Sequence, residues 1–326
     1  MIPYAVIGTG WISGSFIRAA RDTELALAGI CSRTRARGMA FAREQALDEL
    51  PVYQSVEALA RDSAIKACYV ASPNRFHAAQ CEILLEAGKH VLCEKPVTVT
   101  PGELERLQKL AARRGLIFQE AIMYLHTPER RAVRELLPRL GGMQGAMLDF
   151  SQRSSKYDSL LAGELPNVFN PAMAAGAWMD LGIYCLYPAL DFFGEPERAF
   201  AHARFLKSGA DGAGAAVFQY RDFPVTLSWC KTGQSRGVSQ IIGDEGTLTL
   251  ASISQFQGVA HYNNEGYGSF IDVPRKKHEV MQWEARAFCD YILGRPSMVP
   301  YEEASALALR VSKWMEQIRA LAGISL

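Results

Sequence analysis

The chain has 326 residues, is 49% hydrophobic and 21% charged, and carries a formal net charge of +1. This is globular composition at a length that suits about two domains. So small a net charge argues against a nucleic-acid footprint, the longest basic run being Arg275-Lys276-Lys277. No apolar run reaches the ~18 residues of a membrane span, and the N-terminus has neither a basic region nor a cleavage site. The seven cysteines are scattered without a CxxC, which suits reduced thiols and a cytoplasmic setting. There is no HExxH and no close His/Cys pairing, so no metal site is expected. Neither nucleic acid nor a membrane is expected as a partner.

The first third alternates strand and helix. Tyr4–Ile7 reads as a strand, followed by a glycine turn and a helix over Ile12–Arg21. Gly8 and Gly10 stand as the first two glycines of a GxGxxG fingerprint, and Ser13 takes the third place, where helix packs on strand and a small residue suffices. Strand Leu25–Cys31, helix Thr34–Ala46, a short element at Val52–Tyr53 leading to Val56–Arg61, and strand Lys66–Ala71 come next. Helix Arg75–Ala87 is closed by Gly88, and strand His90–Cys93 follows. Thr100 caps a helix over Pro101–Arg114, with proline at its first position, before strand Leu116–Glu120. Repeated alternation of this kind predicts a parallel, doubly wound sheet with its ligand at the carboxyl ends of the strands.

The pattern changes after Thr127. A helix over Glu129–Leu140, a strand over Ala146–Gln152, a loop containing Gly163, Pro166 and Pro171, and a helix over Ala175–Phe193 are expected. Seven β runs follow: Ala199–Leu206, Ala215–Tyr220, Val225–Cys230, Gly237–Ile242, Thr247–Leu250, Gly258–His261 and Phe270–Val273. With no helices between them they form one broad, mainly antiparallel sheet. Helices His278–Leu293 and Glu302–Ala322 close the chain. The expected fold is therefore α/β: a doubly wound parallel sheet over residues 1–123, then an α+β domain with a broad sheet over 124–326, whose last helices can pack back on the first.

Chemistry gathers at four places. The turn Gly8, Thr9, Gly10, Trp11 and Ile12 offers backbone N–H groups to a pyrophosphate at a helix N-terminus. About 20 residues on, an acid would bind the ribose 2′-OH of NAD. This chain has Ser32 and Arg33 there, with Arg37 one turn further, a set that suits the 2′-phosphate of NADP. The same arginines also read as a solvated helix start, and NAD stays possible. Third comes Ser72-Pro73-Asn74-Arg75-Phe76-His77, and fourth Glu94-Lys95-Pro96, both at the sheet edge where a nicotinamide would lie. His77 reads equally as a ligand contact or a packing residue. In the second domain Asp180 and Tyr184, spaced i,i+4 on an otherwise apolar helix, share a face, and the carboxylate needs a partner. The loop Ser154–Asp158, with Tyr157, and Asn167 and Asn170 beyond it, is polar enough to line a polyol pocket or simply to be solvated.

Gly8-Thr-Gly10, Ser72–His77, Glu94-Lys95-Pro96 and Asp180-Leu-Gly182-Ile-Tyr184, in this order and spacing, resemble the glucose–fructose oxidoreductase / inositol dehydrogenase (Gfo/Idh/MocA) family. Tyrosine at 184, where the family usually has a catalytic histidine, and Glu120-Ala121 resemble the branch containing dimeric dihydrodiol dehydrogenase; that branch's Trp and Arg-Phe pair are replaced here by Met123-Tyr124-Leu125-His126. The resemblance implies an NAD(P)-dependent oxidoreductase with an N-terminal Rossmann domain and an open C-terminal sheet that mediates homodimers or homotetramers. It implies that Lys95 is the active-site lysine, that Asp180 binds substrate, and that Tyr184 takes the proton-handling place. The expected reaction is reversible hydride transfer between NADP and a carbinol carbon of a sugar, polyol or dihydrodiol-like substrate. A tyrosine with a pKa near ~10 is a poor base at neutral pH, and a nearby ammonium such as Lys95 lowers it. The other assignment makes Lys95 the proton donor and Tyr184 a positioning group. Substrate contacts are expected from Lys95, Tyr157, Asn170, Asp180 and Tyr184. The other classes open on sequence are a non-catalytic NADP-binding sensor or structural relative, and a glycosidase-like enzyme using bound NAD.

Overall fold

The computed structural model describes residues 1–47, 49–271 and 274–326. The chain divides into two compact units, Met1–His126 with Lys276–Leu309, and Thr127–Arg275 with Arg310–Leu326.

In the first unit, β1 (Ile2–Ile7), α1 (Trp11–Ala20), β2 (Leu25–Cys31), α2 (Arg35–Glu44), β3 (Val52–Tyr53), α3 (Val56–Ala60), β4 (Ala67–Val70), α4 (His77–Glu86), β5 (His90–Glu94), α5 (Pro101–Arg114) and β6 (Phe118–Ala121) alternate along the chain. The six strands are parallel and ordered β3-β2-β1-β4-β5-β6, the doubly wound Rossmann order. Such a sheet is covered on both faces, so its strands read as continuous apolar runs, and β4 is buried at every residue. Its strand order reverses between β1 and β4, which puts the ligand crevice at their carboxyl ends. Local signals set the helix ends. Thr100 Oγ1 accepts from Glu103 N at 3.3 Å while Glu103 Oε2 accepts from Thr100 N at 3.1 Å, and Gly115 ends α5 at φ 64°. The helix expected over Arg75–Ala87 is shorter: Asn74–Phe76 forms a 3₁₀ turn after the extended Pro73, and α4 begins at His77.

The second unit begins with α6 (Pro128–Leu136). The helix expected to run to Leu140 tightens into 3₁₀ geometry over Leu137–Leu140, where Pro138 has no N–H to continue the α pattern. After β7 (Met143–Ser151) and the short α7 (Tyr157–Leu161), the helix expected over Ala175–Phe193 has a π-helical first part, Trp178–Gly182, before α8 (Ile183–Phe193). The strands β8 (Arg198–Phe205), β9 (Asp211–Gln219), β10 (Pro224–Cys230), β11 (Ser239–Gly243), β12 (Gly246–Ser252), β13 (Gln257–Asn263) and β14 (Gly268–Phe270) complete the sheet. For the run expected over Phe270–Val273, Asp272 and Val273 lie outside the described residues. The order is β14-β13-β12-β11-β7-β10-β9-β8, antiparallel except for β7 beside β10. Burial alternates along the strands. Val225, Leu227 and Trp229 of β10 face inward, where α8 packs on β7 and β10. On the other face Phe200, Val217, Thr226 and Met147 stand in one register row across β8, β9, β10 and β7, and Phe200, Val217 and Met147 are exposed.

Helices α9 (Lys277–Ile292) and α10 (Tyr301–Ala322) end the chain. Among the described residues no helix is long and apolar enough to cross a membrane, and no group of three His, Cys, Asp or Glu is arranged to hold a metal ion. The cysteines are free thiols, all but Cys230 buried, and burial pushes the Cys31 thiol up to about 11.

Candidate active site

Gly8 ends β1 at φ 103°, and a Cβ there would lie 2.5 Å from the Ala71 carbonyl oxygen. Only glycine lets the β1–α1 turn close onto the end of β4. A Cβ at Gly10, in contrast, would meet no atom within 4 Å, so this side of the turn is open. No side chain caps α1, whose first N–H groups therefore suit an anionic ligand. Ser13 is fully buried within α1, as its small-residue role requires. Arg37 Nε donates to Thr9 Oγ1 at 3.1 Å, which ties the start of α2 to the glycine turn. Ser32 is buried at the end of β2, and Arg33 beside it is exposed. Trp11 and the turn thus meet the arginine segment on one edge of the sheet, with the Lys277 ammonium 4.6 Å from the centroid of the largely exposed Trp11 ring. Open backbone at Gly10 and a guanidinium at Thr9 fit a dinucleotide carrying an extra phosphate.

At the end of β4, Ser72 Oγ donates to Gln80 Oε1 at 2.7 Å. The direct cofactor contact expected of His77 is corrected here. Its ring is fully buried, with Nδ1 2.9 Å from the Pro96 carbonyl and Nε2 2.8 Å from the Ser72 carbonyl. It braces the loops after β4 and β5 against each other. Burial holds its pKa below the usual histidine value, against those two bonds. At the end of β5, Glu94 accepts from the Tyr69 hydroxyl, a bond between neighbouring strands. Burial raises the Glu94 carboxyl above its ordinary range, and the Lys95 ammonium beside it pulls it back. Lys95 is half-buried and joined to Pro96 by a cis peptide. Val97 N donates to Glu120 Oε1 at 2.8 Å, so β6 fixes the far side of this loop. Strand order puts Lys95 two strands from the glycine turn, about 10 Å along the same edge.

In the second unit Asp180 lies in the π turn and Tyr184 one turn later. Trp178 fills the space beside Gly182, where a Cβ would come within 2.1 Å of the indole. Such turns occur often at functional sites and escape a periodicity argument. The partner that Asp180 requires is Lys231, which follows β10 and ion-pairs with Oδ2. Lys231 Nζ also donates to the Val168 carbonyl at 3.3 Å and stands 5.6 Å from the centre of the Phe169 ring. Tyr157 packs 5.9 Å from that ring on its other contact, with the Arg153 guanidinium 5.2 Å from its own. Asn170 uses its Oδ1 to accept from Ala172 N at 3.0 Å. Tyr184 is buried to 7% exposure with Phe150 edge-on at 5.3 Å. Beneath the π turn the buried Asp211 accepts from Trp178 N at 2.7 Å and Trp229 Nε1 at 3.0 Å. Burial raises its carboxyl against both bonds. Sequence reasoning misses Lys231 and Asp211. The only signals are one charge after an apolar strand and one at the start of another.

The model of the oxidoreductase family with NAD-binding Rossmann fold (GFO_IDH_MocA) matches residues 2–122, and that of the GFO/IDH/MocA C-terminal domain matches residues 132–249. The uncharacterized oxidoreductase YgjR of Escherichia coli is 33% identical over 331 residues, 99% of this chain and 97% of the relative. The scyllo-inositol 2-dehydrogenase (NADP(+)) IolU of Bacillus subtilis is 31% identical over 99% of this chain and 98% of its own. The structure of KijD10, a 3-ketoreductase from Actinomadura kijaniata, superposes with a TM-score of 0.85 at 22% identity over 98% of both chains. The chain belongs to the Gfo/Idh/MocA oxidoreductases, and its first unit is an NAD-binding Rossmann domain.

Proposed function

We propose that this oxidoreductase uses NADP to oxidise and reduce a carbinol carbon on a neutral polyhydroxy substrate, an inositol, a sugar or a related diol. The observation that carries the reading is Lys95, half-buried on the sheet edge that also holds the open glycine turn. The Arg37–Thr9 bond, and the lack of an acid at the end of β2, favour the 2′-phosphorylated dinucleotide. IolU, similar over the full chain, is named for NADP and scyllo-inositol. When bound, NADP supplies the hydride acceptor. The family resemblance assigns Lys95 a hydrogen bond to the reacting oxygen, Tyr184 its proton and Asp180 a neighbouring hydroxyl. Tyr157 and Asn170 stand on the segment that borders the Asp180 cluster.

The test is NADPH formation from scyllo-inositol, myo-inositol, D-xylose and a trans-cyclohexanediol. Lys95→Ala and Tyr184→Phe are each expected to lower kcat about 10²–10⁴-fold with NADP affinity kept within a few-fold. The double variant is expected to lose little more than the worse single one, because groups acting on one proton are not additive. NADP binding without turnover of any of these compounds would instead support a non-catalytic sensor, and substrate cleavage without net NADPH a glycosidase-like cycle. Assembly belongs to the same reading: the row Phe200–Val217–Thr226–Met147 is an apolar strip on an open sheet face and suits a second copy of the chain. Light scattering at micromolar concentration is expected to give a dimer or tetramer, and a monomer would remove this part.

A further inference from the structure

Lys231 is the most enclosed cation in the second unit that the proposed chemistry leaves unused. Its side chain is only 4% exposed, whereas that of its partner Asp180 is 38% exposed. Both its side chain and its backbone make connections. The ammonium holds Asp180 and the Val168 carbonyl and faces the Phe169 ring. The backbone N–H donates to Gly212 O at 2.8 Å, beside Asp211, and the carbonyl accepts from Ser154 N at 2.9 Å. Ser154 in turn accepts from Tyr157 N at 3.0 Å through its own carbonyl. Three separate segments therefore converge on one residue: 154–157, 168–170 and the π turn.

We infer that Lys231 is a positioning residue that joins Asp180 and the 154–170 segment into one preset surface and fixes the substrate class as uncharged. The physical argument concerns net charge. A half-exposed carboxylate alone attracts cations. Paired with a sealed lysine it is neutral overall, yet it still accepts hydrogen bonds from hydroxyl groups. Lysine itself is too enclosed to receive a phosphate or carboxylate from a ligand. The pair thus favours a neutral polyol over sugar acids, sugar phosphates and amino sugars. This rests on the polyol reading above and narrows it.

The experiment uses the full-length protein and Lys231→Met, which conserves volume and removes the charge. Hydrogen exchange over residues 154–170 is expected to speed up about tenfold; exchange as slow as in the parent would overturn the clamp, whatever the substrate. In kinetics KM for scyllo-inositol and D-xylose is expected to rise about tenfold while kcat falls less, with NADP affinity unchanged, since NADP belongs to the first unit. The ratio of kcat/KM for D-glucosamine over D-glucose is expected to rise in Lys231→Met, where Asp180 has lost the Lys231 charge, and to return in Lys231→Arg. An unchanged ratio would overturn the assignment of substrate charge. If the parent protein turns over none of these compounds, the proposed function fails, and the exchange measurement still decides the clamp. Should Lys231→Met not fold, the Asp180→Asn/Lys231→Met pair, neutral on both sides, carries the exchange measurement.

Discussion

Near Lys95 the first unit buries acids besides the His77 brace. Glu94 leans on Tyr69, and Glu284 of α9 is fully buried with no hydrogen-bond partner for either oxygen in the structure. Burial, then the neighbouring Glu94, raises the Glu284 carboxyl well above its ordinary range, and Lys277 opposes them. In the second unit Asp211 is such an acid too, but two ion pairs are also buried there. Lys231 meets Asp180, and Arg130 of α6 holds Asp191 of α8 through Nε and Nη2, each at 2.7 Å, with both side chains about 95% covered. The difference separates two ways of burying charge. Burial shifts carboxyls such as Glu94 and Glu284 toward the protonated form, against the nearby lysines. A bidentate pair keeps its charge and fixes direction, so the second unit is held geometrically.

The largest effect should come from breaking a fixed pair. Arg130→Met removes the bidentate partner of Asp191, with Arg134 3.7 Å away, and should cost about 3–5 kcal/mol in urea unfolding. Adding Asp191→Leu should return most of that loss, and a cost below ~1 kcal/mol for Arg130→Met would mean the pair is not holding the unit together. Exposed arginines should matter less for stability and more for the ligand. Arg37→Ala removes the bond to Thr9 and is expected to weaken NADP binding about tenfold, ~1.4 kcal/mol, with NAD changed less than twofold. Equal losses for both dinucleotides in calorimetry would remove the 2′-phosphate role. The smallest effect tests the neutral acid. A carboxyl whose pKa is raised on folding adds stability that is fully present below its unfolded value and is lost as pH rises through the folded one. Glu284→Gln carries no such proton, so its melting temperature is expected to exceed the parent's by more at pH 8 than at pH 5. A gap that does not grow with pH would show that Glu284 is charged in the folded protein.

Most of the first sheet is legible in the sequence because each of its devices is a short contiguous segment: strand and glycine turn at 4–10, cap and proline at Thr100-Pro101, Glu94-Lys95-Pro96 at a strand end. Parallel strands with both faces buried also announce themselves by apolar runs, and each expected strand overlaps the observed one. The second sheet is legible as β but with looser ends. β9 begins at Asp211, four residues before the expected Ala215, because the polar start of that strand is satisfied by indole and backbone N–H groups that no local pattern reveals. The site follows the same division. That Asp180 needs a partner can be read from its apolar surroundings, but the partner is 51 residues away and arrives through strand pairing. His77 misleads in the opposite sense. Its place beside a strand end suggests a ligand, and only its two carbonyl partners reveal a brace.

The place of β7 in the second sheet bears on how the protein is made. β7 is the first strand of that sheet in the chain, yet it lies inside it, between β10 and β11. Its neighbours, Pro224–Cys230 and Ser239–Gly243, are synthesised more than 70 residues after Met143–Ser151. The β8–β9–β10 meander forms from adjacent residues, but β7 must wait for chain that has not yet left the ribosome. During that interval both of its edges are open to other nascent chains, so a chain that stops short of Pro224 would carry an unpaired strand and a strong tendency to aggregate.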